Sequence, residues 1–242
     1  MPQAPPTELA LSIVIPAYNE AERISPTLDR VLEWLDEDGR SAEVVVVDDG
    51  STDDTCGVVS SRAKSDSRLR LVENGANRGK GYSVAHGVRE ARGSWILFSD
   101  ADLSTPVEEL VKLEAGRGDA PISIGSRALP DSDLKKRQPF YREMMGRSFN
   151  LLVQTLVFPG IKDTQCGFKL FRADVAKELF ELRTIDGFAF DVEVLFLARK
   201  HGHAVMEIPV VWINDEASRV DPIRHSLKMF ADIMKVRGRH RG

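Results

Sequence analysis

The sequence predicts an α/β protein with a mostly parallel sheet, helices on both faces of that sheet, and amphipathic helices near the C-terminus. Short apolar runs typical of buried strands alternate with segments of helical periodicity through the first half of the chain. Alternation of this kind with short links favours parallel strands joined by crossover helices. Polar residues follow directly after several of the runs, and ligands of open α/β sheets bind at the carboxyl ends of the strands.

The composition is that of an ordinary globular protein. The chain has 242 residues, of which 42% are hydrophobic and 29% charged, and its net charge of −4 gives no general attraction to nucleic acid. We expect residues 1–10, which are Pro-rich, to be a disordered lead-in, and residues 11–242 to form a single domain. No apolar run reaches the roughly 20 residues of a membrane span. Cys56 and Cys166 have neither metal-type nor redox-type spacing, which indicates a reducing, cytoplasmic compartment.

The first half supplies most of the sheet. Its first helix is expected to begin at Pro26, with Ser25 as N-cap, because proline suits the first helical position. Later helices are expected after Asp53-Asp54, after Gly79-Lys80-Gly81 and from Pro106. The predicted strands are residues 11–15, 43–47, 69–72, 95–99 and 122–124.

The second half is richer in predicted helix. Residues 139–158 form a long segment of helical character with many Met, Phe and Leu, and residues 163–172 run from a loop into a strand. Residues 204–211 are expected to be one strand. Helices are expected over residues 174–182, 191–200 and 222–236.

An acidic triplet, Asp100-Ala101-Asp102, ends the fourth predicted strand. Two carboxylates one residue apart at the end of a buried strand are costly unless a positive charge lies between them. Oxygen ligands of this kind suit Mg²⁺ or Mn²⁺ held together with substrate phosphates. The alternative is that Asp102 or Thr105 caps the helix that Pro106 begins. The triplet alone does not decide between the two.

Two motifs of nucleotide-binding proteins are absent or incomplete, which argues against a dinucleotide-binding fold and against a P-loop NTPase. A dinucleotide fingerprint needs G-x-G-x-x-G after the first strand, but residues 16–24 contain no glycine. The segment from Gly75 to Lys80 is one residue too short for a P-loop. Asp48 or Asp49, at the end of the second strand, could still bind a ribose or a base.

Seven motifs together resemble one enzyme family. Residues 13–20 (IVIPAYNE), 46–53 (VVDDGSTD), 77–81 (NRGKG) and 100–102 (DAD) resemble inverting family-two glycosyltransferases of the GT-A (Rossmann-like) fold. Residues 125–127 (GSR), 163–171 (DTQCGFKLF) and 188–193 (FAFDVE) narrow the resemblance. They are similar to polyprenyl- and dolichyl-phosphate hexosyltransferases, and most similar to the dolichyl-phosphate β-glucosyltransferase branch.

This resemblance implies an activity. The enzyme would move a hexose, glucose by resemblance, from a nucleotide sugar such as UDP-glucose to a polyprenyl or dolichyl phosphate, with inversion to a β-linked product and with Mg²⁺ or Mn²⁺ as cofactor. Two alternatives stay open. One is a GDP-mannose-dependent polyprenyl-phosphate mannosyltransferase, and the other is a family-two transferase or sugar-nucleotide-binding module with a non-lipid acceptor. Related mannosyltransferases commonly have Gln where Ser104 stands here, so water is expected to replace that ligand.

The resemblance also assigns candidate residues. Asp100 and Asp102 would bind the metal, and Asp102, Asp163 and Asp191 would be catalytic, although Asp163 could instead order a loop and Asp191 cap a helix. Arg127 and Arg142 would bind the acceptor phosphate through paired hydrogen bonds. The residues expected to bind the donor are Pro16, Tyr18, Glu20, Asp48, Asp49, Gly79, Lys80, Asp100, Ala101 and Asp102.

A lipid acceptor implies contact with a membrane surface, at its cytoplasmic face. The last predicted helix carries an apolar stripe with basic residues around and after it, which is typical of an interfacial helix. The alternative is a helix packed on the core and followed by a solvated tail. The stripe consists of Ile223, Leu227, Phe230 and Met234.

Overall fold

The computed structural model describes residues 9–136, 153–155, 157, 159–213, 229, 231–234, 236 and 238–240. Within them, nine strands form two sheets. The strands are β1 (Leu11–Ala17), β2 (Ala42–Asp48), β3 (Leu69–Glu73), β4 (Trp95–Ser99), β5 (Ile122–Ser126), β6 (Asp133–Lys136), β7 (Phe168–Arg172), β8 (Val205–Pro209) and β9 (Val211–Ile213).

The helices alternate with the strands in the first half of the chain. A 3₁₀ turn, Val107–Glu109, precedes the fourth helix. Met229, residues 231–234 and Val236 are also helical. The helices are α1 (Ala21–Asp38), α2 (Thr55–Ala63), α3 (Lys80–Glu90), α4 (Leu110–Gly116), α5 (Ala173–Leu182) and α6 (Phe190–Lys200).

The main sheet is mostly parallel, as predicted. Its seven strands lie in the order β3-β2-β1-β4-β7-β5-β8. Only β7 runs antiparallel to its neighbours β4 and β5. The parallel register sets Ala17 beside Asp48, so the carboxyl ends of β1 and β2 meet at one edge.

Helices cover both faces of this sheet because successive strand side chains point to opposite faces. Val14 of β1 packs into a cluster that includes residues of α3, α5 and α6. Its neighbours Ile13 and Ile15 pack into a second cluster with residues of α1, α2 and α4. The prediction of helices on both faces is confirmed.

The start of α1 differs from the prediction. The helix begins at Ala21 rather than at Pro26, because the amides of Arg23 and Ile24 already donate to the Glu20 carbonyl, at 2.9 and 2.8 Å. Ile24 is fully buried, so packing extends the helix ahead of the proline. Pro26 therefore lies inside the helix, where it gives up one backbone hydrogen bond.

The expected strand over residues 204–211 is two strands. The chain leaves the main sheet after Pro209, and β9 then pairs in parallel with β6 in a separate small sheet. Lys135 and Lys136, which no predicted element included, belong to β6. Polar β6 has too little apolar alternation to be recognised as a strand from its sequence.

Two predicted helices fall largely outside the described residues, namely those over residues 139–158 and 222–236. In the described part of the second, Ile233 and Val236 are buried in the core, whereas Met234 is 53% exposed. In the parts of the chain that can be described, no helix has both the length and the apolar character needed to cross a bilayer.

Candidate active site

The carboxyl ends of β1, β2 and β4 border a cavity of about 420 Å³. Every residue expected to bind the donor lines this cavity except Asp48, and Asn19, Arg23, Asn77, Ser83 and Phe188 line it as well. Residues that are distant in sequence thus meet at one place because parallel strands end at the same edge of the sheet.

The two acids that end β2 point in different directions. Asp48 turns back to its own loop, where Oδ2 accepts the amides of Gly50 and Ser51 at 2.9 and 3.0 Å. Asp49 lines the cavity and accepts the backbone amides of Arg78 and Gly79, both at 2.9 Å. Of the two residues left open by the sequence, Asp49 is the one at the cavity, and it also fixes the loop that leads into α3.

The acidic triplet faces the cavity and does not cap a helix. Asp102 Oδ1 accepts the amide of Ser104 at 2.9 Å, which closes a tight turn. The 3₁₀ turn that follows Pro106 has no side-chain cap, and Thr105 instead contacts the sulfur of Cys166 at 3.8 Å. The helix-capping alternative is therefore wrong. Leu103, inside the turn, has a positive φ of 45°, a backbone conformation that residues other than glycine rarely adopt.

Gly167 makes room for Asp100. The amide of Asp100 donates to the Gly167 carbonyl at 3.0 Å, which holds the two backbones together. A Cβ at position 167 would lie 1.9 Å from Asp100 Oδ2, closer than any side chain allows. The glycine lies within the motif at residues 163–171, but nothing in the sequence indicates its contact with Asp100, which is 67 positions away.

Lys80 supplies a positive charge beside the triplet. Its Nζ lies 2.7 Å from Asp100 Oδ1, an ion-pair distance, although the angles do not make a hydrogen bond. Burial lowers the pKa of Lys80, but the carboxylates of Asp100, Asp191 and Asp102 outweigh it, and the net shift is upward. Burial raises the pKa of Asp102, and the negative charge of Asp100 raises it further. These two carboxylates therefore favour a cation between them.

Asp191 is paired with a lysine that the sequence analysis did not single out. Lys169 Nζ donates to Asp191 Oδ1 at 2.5 Å and to the Cys166 carbonyl at 2.6 Å, and both charged side chains are at most 5% exposed. Asp191 does not cap α6, whose N-cap is Ala189 without a side-chain bond. Burial raises the pKa of Asp191, although Lys169 and Lys80 oppose the shift.

Asp163 and Arg127 form a second ion pair, in which the carboxylate is buried and the guanidinium is partly exposed. Arg127 Nε and Nη2 donate to the two carboxylate oxygens at 2.7 and 2.9 Å, and the Arg127 amide adds a third bond at 3.0 Å. Burial raises the pKa of Asp163, but the charge and hydrogen bonds of Arg127 lower it more. Arg127 stands at the end of β5 as expected, with its guanidinium already engaged. Arg142 lies outside the described residues, so its binding to an acceptor phosphate stays a prediction.

Comparison with known proteins assigns the chain to a family. The family model described as glycosyl transferase family 2 matches residues 12–180. The chain is 38% identical to a dolichyl-phosphate beta-glucosyltransferase of Dictyostelium discoideum, over 98% of its own length and 76% of the relative's. It is 34% identical to the Homo sapiens protein of the same name, over 95% of this chain and 75% of that one.

A solved structure shares the fold. Glucosyl-3-phosphoglycerate synthase from Mycobacterium tuberculosis, in complex with Mn²⁺, uridine-diphosphate and phosphoglyceric acid, matches with a TM-score of 0.71 at 17% identity. The match covers 95% of this chain and 79% of that one. The expected GT-A architecture is thus confirmed, and the chain belongs to glycosyl transferase family 2 and is a glycosyltransferase.

Proposed function

We propose that this enzyme transfers glucose from UDP-glucose to a dolichyl or related polyprenyl phosphate and forms a β-linked lipid-phosphate sugar. The similarity to dolichyl-phosphate beta-glucosyltransferases carries the proposal, since it extends over 98% of the chain in the Dictyostelium relative. The acidic triplet, the Asp49 loop and Lys80 line one cavity, which supports a nucleotide-sugar donor there.

The donor's uridine would lie against the loop that follows β1 and beside Asp49, and its diphosphate near Asp100 and Asp102. The residues fit a divalent cation at the diphosphate, because Asp100 Oδ1 is buried without a hydrogen bond and the two carboxylates repel each other. Within the described residues no set of three His, Cys, Asp or Glu side chains could hold a metal. Donor phosphates and water would therefore complete the shell. Bound Mg²⁺ or Mn²⁺ would offset the negative charge that develops on the departing UDP.

The nucleophile would be an oxygen of the acceptor phosphate. A phosphate monoester has its second pKa at about 6, so at neutral pH it is mostly a dianion and needs no strong general base. This oxygen forms a bond to the anomeric carbon of the sugar while the bond from that carbon to UDP breaks. A single in-line displacement inverts the configuration, so an α-linked donor gives a β-linked product. Asp163 and Asp191 are each tied to a cation, which favours positioning over proton abstraction.

The acceptor requires a membrane surface, and we infer that the C-terminal helical segment docks there. Its exposed Met234 belongs to the predicted apolar stripe, while Ile233 and Val236 attach the segment to the core. Such a helix would lie in the interface with its basic residues near lipid headgroups. The cytoplasmic face is the expected side, because nucleotide sugars and reduced thiols belong to that compartment.

A transfer assay tests the proposal. Purified protein is incubated with Mn²⁺, UDP-[¹⁴C]glucose and a short-chain polyprenyl phosphate, and the organic phase is counted. We expect label in the organic phase only when the lipid carries a phosphate, with the free polyprenol as the matched control. Label from GDP-[¹⁴C]mannose instead would assign the enzyme to mannosyl transfer. Label that stays in the aqueous phase on an added acceptor would exclude a lipid substrate.

A further inference from the structure

The charges at the acidic triplet are unevenly balanced. Three carboxylates, those of Asp100, Asp102 and Asp191, interact with two ammonium groups, those of Lys80 and Lys169. This leaves an excess of one negative charge among them. Lys169 is 2% exposed and held by two short contacts, so it is fixed in place. Lys80 lines the cavity and has a 22% exposed side chain, so it is the cation that can move.

Lys80 contacts one of the two carboxylates that are expected to bind the metal. Its Nζ is 2.7 Å from Asp100 Oδ1, an oxygen that makes no hydrogen bond within the described part of the chain. The aromatic rings of Phe98 and Phe188 lie 5.3 and 5.9 Å from the same Nζ, within the range of a cation–π contact. A divalent cation on the same carboxylate and this ammonium would repel each other, so each weakens the binding of the other to Asp100.

A donor diphosphate bound near the acidic triplet would need a positively charged partner. The start of α3 lines the same cavity. Three of the backbone amides at the start of this helix are taken, since Gly79 donates to Asp49 and both Gly81 and Tyr82 donate to the Asp186 carbonyl. Arg23, the other cation that lines the cavity in the described structure, makes two hydrogen bonds of 2.7 Å to Glu20. Lys80 is therefore the group best placed to follow a phosphate.

We propose that Lys80 is an internal counter-ion that competes with the divalent cation for Asp100, so that the cation binds firmly only together with the nucleotide. A divalent cation entering alone would turn the excess of one negative charge into an excess of one positive charge. A cation that arrives with a diphosphate of two negative charges leaves the balance unchanged, and Lys80 passes from Asp100 to a phosphate oxygen. This inference deepens the proposed function and rests on its use of a nucleotide-sugar donor with a metal.

Binding of Mn²⁺ to the nucleotide-free protein tests the competition without any transfer reaction. Free Mn²⁺ is measured by electron paramagnetic resonance during titration of the wild type, Lys80→Met and Lys80→Gln. Removing the ammonium should tighten Mn²⁺ binding at least about 10-fold, the size of one charge-assisted contact. The affinity for UDP in the presence of Mn²⁺ should fall in the same variants, so the two changes have opposite signs.

Arg78→Met is the matched control, because it removes one positive charge two residues away. Arg78 stacks on Tyr82 and hydrogen-bonds to its hydroxyl. We expect its Mn²⁺ affinity to stay near that of the wild type. Unchanged or weaker Mn²⁺ binding in both Lys80 variants would overturn the proposal, as would equal tightening in Arg78→Met. Tightening without transfer of glucose to lipid would preserve the competition and contradict the proposed acceptor reaction.

Discussion

At the scale of single residues, the site depends on buried charges held close together. Asp102 faces the carboxylate of Asp100, and both burial and this neighbour raise its pKa. Asp163 has the opposite environment, since Arg127 holds its pKa below the usual range in spite of burial. The first arrangement favours an added cation, whereas the second already contains its own.

We expect Asp102→Asn to lower the transfer rate and to weaken Mn²⁺-dependent UDP binding. One carboxylate charge leaves the cation site, and a charge-assisted contact of about 1.5–3 kcal/mol corresponds to roughly 10- to 150-fold in kcat/KM. Asp119→Asn is the matched control, because Asp119 is exposed in the turn before β5. Full turnover with undiminished metal dependence in Asp102→Asn would remove this carboxylate from the site.

The Asp163–Arg127 pair should stabilise the fold in a pH-dependent way. Asp163→Asn leaves a guanidinium that solvent partly reaches, so it should lower the free energy of unfolding by about 1.5–3 kcal/mol at pH 7, the size of a charge-assisted contact. The folded-state pKa of Asp163 is depressed, so the stabilisation is complete above the unfolded-state pKa near 3.9 and is lost as pH falls through the folded-state value. The gap between wild type and variant should therefore narrow in acid.

Urea unfolding midpoints at pH 7 and pH 3 measure this gap. Asp174→Asn supplies the control, because Arg172 contacts Asp174 through the same two nitrogens, Nε and Nη2, at 2.7 and 2.9 Å on an exposed surface. Solvent screens such exposed pairs, so this variant should change the midpoint little. Equal midpoints for wild type and Asp163→Asn at pH 7 would contradict the argument.

At the scale of elements, strands were more predictable than the contacts between them. The valine run of β2 and the apolar run of β4 are local patterns, and β4 has the predicted bounds. The pairing of β6 with β9 depends on residues 75 or more positions apart in the sequence. The same limit applies at the site, where motifs indicated Asp100 and Asp49. The supporting roles of Gly167 and Lys169 needed the antiparallel placement of β7 beside β4.

The close contact between Gly167 and Asp100 can be tested by adding a methyl group at position 167. In Gly167→Ala the new methyl group would meet the Asp100 carboxylate, a side-chain group that can turn away while the backbone stays. We expect Mn²⁺-dependent UDP binding to weaken by about 10-fold or more, with the fold retained by circular dichroism. Gly187→Ala is the control, since nothing lies within 4 Å of a Cβ there. Binding unchanged in both variants would show that Asp100 tolerates displacement.

The C-terminal helical segment gives the prediction for membrane contact. Met234→Glu places a charge on the predicted apolar stripe, at a residue that is 53% exposed in the structure. Flotation with anionic liposomes should decrease while the thermal unfolding midpoint changes little. Met206→Glu is the control, because Met206 is a similarly exposed methionine, at 42%, on β8. Unchanged flotation of Met234→Glu would assign membrane contact to another surface.

At the scale of the whole molecule, one edge of the sheet gathers the chemistry. Helices bury both faces of the sheet, so the crevice at the carboxyl ends of β1, β2 and β4 remains open to a ligand. The antiparallel strand β7 pairs Lys169 with Phe98 of β4, and Gly167, just before β7, lies against Asp100. We propose that a nucleotide and a divalent cation bind together at this edge.

Anomalous diffraction from crystals grown with UDP and Mn²⁺ tests this joint binding. We expect a single manganese peak at direct coordination distance, about 2.0–2.3 Å, from carboxylate oxygens of Asp100 and Asp102 and from the diphosphate. Lys80 Nζ should have left Asp100, and the uracil should lie beside Asp49. A manganese peak away from the acidic triplet, or a uridine bound outside the cavity between Pro16 and Asp102, would contradict joint binding at this edge.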